Sequence, residues 1–284
     1  PSSPRFQLQQ DEIKIFDYEP RNPSICTLTA AIEIGSLGLN FFIIDLDNEG
    51  SWELEEASYS RSNFIYGVNS NEEIVQTITG FIEEIISYGV SRENVHLIAS
   101  SSVVNGENLD DLNALLGQKT QLNIVGISAE NEAKYALAAT VPQEFLEESF
   151  VVDIGSGNSK LSWVSNQDTL SIEIHGSKYF LSDIQDTTVF REVRDAVLQI
   201  PEENRNLCFM LGGMIYEFAK DKMLGSEARY VVLDAPNSYP VDNEKLKAAN
   251  VIYNALYLEP TYSYIFDRDS NFSIGYLIVQ NQSN

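Results

Sequence analysis

An acidic residue followed by a glycine-rich turn occurs twice in the chain, and both copies have the composition of an anion-binding hairpin. Residues 32–36 read Ile-Glu-Ile-Gly-Ser, and residues 152–156 read Val-Asp-Ile-Gly-Ser. Small residues let the backbone approach a ligand closely, and consecutive N–H groups in such a turn can bind a phosphate. Asp153, at the mouth of the second turn, offers a carboxylate that could hold a divalent cation or orient a water molecule.

Two further segments carry residue types suited to phosphate chemistry. Gly212-Gly213 follows an apolar run and opens a predicted helix. A helix N-terminus suits a phosphate or an adenosine moiety, although such a glycine pair is more often a packing turn. Residues 128–133, Ser-Ala-Glu-Asn-Glu-Ala, begin another helix. Their simplest role is a capped helix start with favourable acidic residues, and their sharper role is a general base that activates water.

The hydrophobic periodicity predicts two mixed α/β halves that position these segments. Three strands (26–34, 39–46 and 51–58) open the first half, and a helix over 71–88 begins after Ser70 or Asn71 and ends at Gly89. The second half repeats three strands (150–154, 159–164 and 169–175), with a last helix over 243–256 and a last strand over 274–280. We predict an N-terminal arm (1–24), domain I (25–140) and domain II (141–284), with the duplicated hairpins facing one cleft.

The composition limits the classes of ligand. The 284 residues carry a formal net charge of −24. We therefore expect neither nucleic acid nor an anionic membrane surface as a partner, and no apolar run is long enough to span a membrane. An anionic substrate would need a local basic patch or a metal ion. We expect a cytoplasmic protein; export stays open because the sequence begins with Pro1 rather than Met.

Four segments, in order, resemble the successive motifs of the exopolyphosphatase/guanosine pentaphosphate phosphatase family, which belongs to the actin-like ATPase superfamily. They are residues 32–36, 125–133, 151–159 and 211–214. The Ser-x-x-x-Glu-Ala part of the second segment is the most specific to the family. The resemblance covers about residues 30–223. It implies two ribonuclease H-like domains, each a mixed five-stranded sheet with helices, around an interdomain cleft.

The resemblance also implies a role for each matching residue. The first phosphate loop contains Gly35, Ser36 and Gly38, and the second contains Gly155, Ser156, Gly157, Asn158 and Ser159. Gly212 and Gly213 close the nucleotide or phosphate site. Glu132 activates the attacking water, with Glu130 as the fallback, and Glu33 and Asp153 are associated with a metal. The implied chemistry is Mg²⁺-assisted hydrolysis of a phosphoanhydride, with polyphosphate or pppGpp as the substrate.

Several positions depart from the family pattern. Glu33 replaces an aspartate, Leu37-Gly38 replaces Asn-Ser, and Lys160 replaces an acidic residue at the end of the second loop. These changes indicate an altered ligand or a lost activity. The alternatives are a degenerate member that binds a nucleotide, a phosphate or a protein, and an actin-like or sugar-kinase-like ATPase. The substrate, the oligomeric state (a homodimer is one expectation) and the roles of residues 1–24 and 230–284 stay open.

Overall fold

The chain divides into two compact units in a computed structural model, which describes residues 16–36, 38–61, 70–104, 109–258 and 262–282. The first unit comprises the described parts of Arg21–Ala139 and Phe272–Asn284. The second comprises Thr140–Asn271 and the described residues that end at Pro20. Both units are mixed α/β structures, as the sequence predicts.

The first unit contains a five-stranded mixed sheet with the order β3-β2-β1-β4-β5. Its strands are β1 (Thr27–Ile34), β2 (Gly38–Leu46), β3 (Trp52–Arg61), β4 (Val95–Ala99) and β5 (Val125–Gly126). The first three strands pair antiparallel, while β4 pairs parallel with both β1 and β5. This sheet has the predicted number of strands, although β5 is shorter than the apolar run around it suggests.

Four helices follow from local sequence signals in the first unit. They are α1 (Asn71–Tyr88), α2 (Ser101–Val104), α3 (Leu109–Thr120) and α4 (Ala129–Thr140). The predicted bounds of α1 are confirmed. A capping box forms at its start, where the Ser70 side chain accepts from the Glu73 N–H and the Glu73 carboxylate accepts from the Ser70 N–H. Gly89, at φ +121°, ends the helix.

One face of the first sheet is apolar and packs against α1 and α3. Ile32 and Ile34 of β1 belong to this core, together with Ile78 of α1 and Leu112 of α3. Since successive side chains of a strand point to opposite faces, Glu33 lies on the other face of the sheet.

The second unit contains a six-stranded mixed sheet with the order β10-β11-β9-β6-β7-β8, one strand more than predicted. Its strands are β6 (Ser149–Ile154), β7 (Asn158–Ser165), β8 (Asp168–His175), β9 (Leu207–Leu211), β10 (Tyr230–Val232) and β11 (Ser263–Asp267). Its helices are α5 (Asp186–Gln199), α6 (Gly213–Met223) and α7 (Glu244–Leu256). The core between these helices and the sheet includes Val152 and Ile154 of β6 and Leu161 of β7.

The predicted strand over 274–280 is wrong, because these residues lie in a helix, α8 (Phe272–Gln282). Most of α8 is buried, including Ile274, Tyr276 and Ile278. A helix buried on all sides has no polar face, so its sequence does not show the helical period. Its backbone lies close to α4, because a Cβ atom on Gly275 would be 1.8 Å from the carbonyl oxygen of Tyr135.

The units differ from the predicted domains at both ends of the described chain. Helix α8 packs in the first unit, whereas the predicted domain II includes it. Phe16, within the predicted arm, is 6% exposed and packs its ring on Phe145, Phe209 and Tyr230 of the second unit. Residues 1–15 of the predicted arm lie outside the described residues. No helix in the described ranges is both long and apolar enough to cross a membrane.

Candidate functional site

The loop between β6 and β7 is held from one side by the segment that follows β8. The carbonyl oxygens of residues 155–157 accept hydrogen bonds from the N–H groups of residues 176–178, at N···O distances between 2.9 and 3.3 Å. A Cβ atom on Gly176 would lie 2.5 Å from the Ser156 carbonyl oxygen, so this close approach requires glycine. Because the carbonyl oxygens bond within the protein, they are not the groups offered to a ligand. An anion is bound by N–H groups, so the arrangement is compatible with an anion-binding loop.

The predicted glycine pair lies beside the start of this loop. Gly212 has a φ of +108°, and a Cβ atom there would be 2.4 Å from the carbonyl oxygen of Ile154. Gly213 is the first residue of α6. Strands β6 and β9 are parallel, so the loop and the N-terminus of α6 lie at the same edge of the sheet. Both features favour an anion at this edge.

Two polar residues at the start of β7 have different surroundings. Asn158 donates from Nδ2 to Oε1 of Glu173 at 2.6 Å. Ser159 is fully buried, and its Oγ has no hydrogen-bond partner among the described residues. It is opposite Ile154 in the strand register and therefore lies on the face that packs against the helices. The phosphate-binding role of Asn158 and Ser159 stays a prediction.

Asp153 is opposite a buried lysine. In the antiparallel register Asp153 pairs with Lys160, and Lys160 pairs with Glu173 on the next strand. Directly opposite residues place their side chains on the same face of a sheet. Lys160 is only 5% exposed. The carboxylate predicted to be associated with a metal therefore has an ammonium-bearing side chain as its cross-strand neighbour.

The first loop closes tightly in the other unit. The Gly35 N–H donates to the Gly38 carbonyl oxygen at 2.9 Å. Ser36 is half-buried, and Leu37 lies outside the described residues. Glu33 is 7% exposed, and its Oε2 accepts from Oγ of Ser273 at 3.3 Å and from Nδ2 of its cross-strand partner Asn40 at 3.4 Å. The Glu33 carboxylate is therefore hydrogen-bonded within the first unit.

Glu132 is fully buried at the start of α4. Its two carboxylate oxygens accept from the Ser101 N–H at 2.6 Å and from the Ser101 Oγ at 2.8 Å. The preceding residue, Ser100, donates its N–H to the Ile34 carbonyl oxygen at 3.0 Å. This chain of contacts connects Glu132 to the end of β1, where the first loop begins.

Glu130, the fallback base, has a different environment from Glu132. It is exposed and forms an ion pair with Lys134 at 2.7 Å. The hydrogen bond from Lys134 lowers the pKa of Glu130. A lower pKa makes this carboxylate a weaker proton acceptor. The roles of Glu130 and Glu132 as bases stay predictions.

The sequence interpretation missed two residues near these features. Ser101 holds Glu132, and the run of three serines after β4 was the available signal. Lys178 donates its backbone N–H to Ser156 of the second loop. Burial, and then the charge of Lys245, lower the pKa of Lys178. The second loop thus has lysines near it, although the overall composition suggests that basic residues are sparse.

The carboxylates near the loops fit a resident Mg²⁺ ion poorly. Within the part of the chain that the structure describes, no three His, Cys, Asp or Glu residues are gathered as a metal site would need. Glu33 already accepts hydrogen bonds from Ser273 and Asn40, and Asp153 is opposite Lys160. A Mg²⁺ ion needs oxygen ligands at close range, and a neighbouring ammonium group opposes its charge. We therefore assign no chemical step to a metal.

Solved structures with the same fold come from the predicted family and beyond it. A Ppx/GppA family member from Aquifex aeolicus has 17% identity and a TM-score of 0.70, covering 90% of this chain and 97% of the other. An exopolyphosphatase from Cytophaga hutchinsonii has 13% identity and a TM-score of 0.67, covering 90% and 98%. An inorganic polyphosphate/ATP-glucomannokinase from Arthrobacter sp. strain KM has 12% identity and a TM-score of 0.50, covering 90% and 98%. At these identities the likeness shows the fold, which is the predicted actin-like ATPase fold.

Sequence comparison gives the family. A search of the curated proteins finds no match. The family model for the Ppx/GppA phosphatase family matches residues 51–249, which is most of the chain and includes the segment 128–133, the second loop and the glycine pair. The chain therefore belongs to the Ppx/GppA phosphatase family.

Proposed function

We propose that this protein is a phosphohydrolase of the exopolyphosphatase type that cleaves phosphoanhydride bonds in polyphosphate or pppGpp. The observation that carries the proposal is the arrangement of the backbone at one edge of the second sheet. There the loop of residues 155–157 lies beside the N-terminus of α6, and Gly212 brings the two backbones together. Family membership and a fold shared with an exopolyphosphatase support the same reaction class.

In this proposal, N–H groups supply most of the phosphate binding. Donors from the second loop and from the start of α6 bind the terminal phosphate and stabilise the negative charge that develops on its oxygens. Phosphoryl transfer depends mainly on positioning and on electrostatic stabilisation, so fixed backbone donors are suited to it. The first loop, at Gly35 and Ser36, would bind a neighbouring phosphate of the same ligand. That both loops line one cleft stays a prediction from the duplication.

Glu132 is the proposed base. Its two oxygens accept from the N–H and the Oγ of Ser101, so the position of the carboxylate is fixed. A carboxylate held in place in this way could orient a water molecule for attack. Removing the carboxylate charge while keeping the shape would then abolish the activation of water.

One observation favours a second function. Glu132 is fully buried and accepts a hydrogen bond from the N–H of Ser101, the first residue of α2. This structural role alone is a sufficient reason for an acidic residue at position 132. In that alternative the protein binds a phosphate-containing ligand without cleaving it, as a sensor or as part of a protein assembly.

Phosphate release from polyphosphate, pppGpp and ATP, with and without Mg²⁺, distinguishes the two functions. We expect release by the wild type and its loss in Glu132→Gln, which keeps one oxygen acceptor for Ser101. Glu83→Gln, the same change on an exposed residue of α1, is the matched control and should keep activity. Release that survives in Glu132→Gln would remove Glu132 from the mechanism. A folded wild type that releases no phosphate from any of the three substrates would contradict the proposed hydrolysis and favour the binding-only function.

A further inference from the structure

We propose that Lys160 supplies, behind the second phosphate loop, the positive charge that a divalent cation would otherwise supply, so that the protein binds its phosphate ligand without a divalent metal. The inference rests on the proposed function, since it concerns the same ligand and the same loop.

Lys160 is the middle member of a row of charges across three strands. Asp153 on β6 and Glu173 on β8 are its direct partners in the strand register. Opposite residues in antiparallel strands have Cβ atoms about 4.5 to 5.5 Å apart, so both carboxylates are within reach of the lysine stem. The row lies next to the loop, because β7 begins at Asn158, and Asn158 itself donates to Glu173.

The burial of Lys160 indicates that its charge is compensated in place. The residue is only 5% exposed, and lysine is rarely buried unless an acidic group pairs with it. Asp153 is partly buried, whereas Glu173 is exposed. Asp153 is therefore the partner that shares the low-dielectric environment of Lys160. The pairing fixes the ammonium group of Lys160 on β7, the strand that begins at the loop.

A divalent cation bound to Asp153 would meet this charge. It would lie next to the cross-strand side chain of Lys160, and charges of the same sign repel strongly where solvent is excluded. Glu33, at the corresponding position of the first hairpin, is opposite Asn40, a neutral residue, so the repulsion is specific to the second hairpin. Where the family pattern has an acidic residue, this chain has a lysine, so the sign of the charge at position 160 is reversed.

The reversed charge changes what the loop requires of its ligand. A metal-dependent site binds a phosphate together with its cation, and chelation removes the binding. A site with a fixed ammonium group binds the phosphate alone, and its affinity should not depend on Mg²⁺. A lysine is also well suited to phosphate as a point charge.

Isothermal titration of the full chain with imidodiphosphate, whose P–N–P bridge resists hydrolysis, tests this inference. We expect the wild type to bind with the same Kd in EDTA and in Mg²⁺. In EDTA, Lys160→Gln should bind about 10-fold to 100-fold more weakly, the loss expected for one charge-assisted hydrogen bond. Lys160→Glu, which restores the acidic residue of the family pattern, should bind only when Mg²⁺ is present.

The variants need a control for folding, since Lys160→Gln removes the charge that compensates Asp153 across the strands. The double variant Asp153→Asn/Lys160→Gln removes both charges and leaves the strand pair neutral. Fluorescence of Trp163, on the same strand as Lys160, shows whether each variant is folded. We expect the folded double variant also to lose affinity in EDTA.

Two results would overturn the inference while leaving the proposed function standing. One is wild-type binding that appears only with Mg²⁺. The other is a folded double variant that binds in EDTA as tightly as the wild type. A folded wild type that binds no imidodiphosphate in either condition would refute the proposed function, and this inference with it.

Discussion

Replacing Gly212 with alanine should destabilise the second unit, because two separate costs arise at one position. An added Cβ would lie 2.4 Å from the carbonyl oxygen of Ile154, which belongs to a strand and cannot rotate away. Overpacking against a fixed neighbour costs about 1 to 3 kcal/mol. The backbone at φ +108° and ψ 146° lies near a region almost confined to glycine, which adds about 1 to 3 kcal/mol for another residue. We therefore expect a loss of roughly 2 to 6 kcal/mol in the free energy of unfolding of the second unit.

The neighbouring residue is the matched control. No described heavy atom lies within 4 Å of a Cβ atom built on Gly213, and Gly213 is the first residue of α6. Gly213→Ala should therefore be neutral or should stabilise the unit by up to about 1 kcal/mol, since alanine restricts the unfolded chain. The two substitutions restrict the unfolded chain equally, so the difference between them reports the backbone conformation and the surroundings of Gly212.

Each unit contains one of the two tryptophans, Trp52 in the first and Trp163 in the second, so urea unfolding can be followed unit by unit. A Trp52→Phe background leaves Trp163 to report on the second unit. The midpoint of Gly212→Ala should fall well below that of Gly213→Ala, with an unchanged slope. Equal midpoints would refute the reasoning that Gly212 is needed for the approach of α6 to β6.

Two further predictions concern the first unit, with Trp52 as the reporter in a Trp163→Phe background. Gly275→Ala should destabilise this unit by about 3 kcal/mol or more, because the new Cβ would be 1.8 Å from the Tyr135 carbonyl oxygen. Gly80→Ala, in the middle of α1, is the control and should not destabilise it, because no described atom outside that helix's backbone lies within 4 Å of the new Cβ. Equal urea midpoints for the two variants would show that α8 does not need glycine at position 275. Burial lowers the pKa of His96, so the unfolded chain binds this proton more tightly than the folded chain, and stability should be lost as the pH falls through about 6.5. The His96→Gln variant should show a smaller loss between about pH 7.5 and 5.5, and an identical pH profile would contradict the assignment.

Local signals in the sequence predict those helices and strands whose structure depends on residues that are close together in the sequence. Helix α1 is the clearest case, since a capping box and a terminal glycine lie within the segment itself. The strand–turn–strand units are similar, because alternation and small residues are encoded over a few positions. The family resemblance implies that the glycine pair and the second loop serve one site, and the parallel pairing of β6 and β9 places both at the same edge of the sheet.

Contacts between distant residues explain what the sequence does not predict. Ser101 and Glu132 are 31 residues apart, so neither identifies the other as its partner. The position of Lys160 opposite Asp153 follows from the hairpin register, which depends on the length of the turn. The residues around Tyr264 form a strand, and the apolar run after Phe272 forms a helix. The sequence does not distinguish these two cases, because a segment that is buried on all sides lacks the periodic pattern of polar residues.

Helix α8 has a consequence for how the chain folds during synthesis. Its residue Ser273 bonds to Glu33, 240 positions earlier, and the whole of the second unit's sheet lies between them in sequence. At about 5 to 20 residues per second, a ribosome needs roughly 12 to 50 seconds to cover that distance. The first sheet is complete once residue 126 has been made, and from then until α8 is made one of its faces lacks the helix that covers it. The second unit, although later in sequence, can be completed first, because the first unit lacks α8 until residue 282 has left the ribosome.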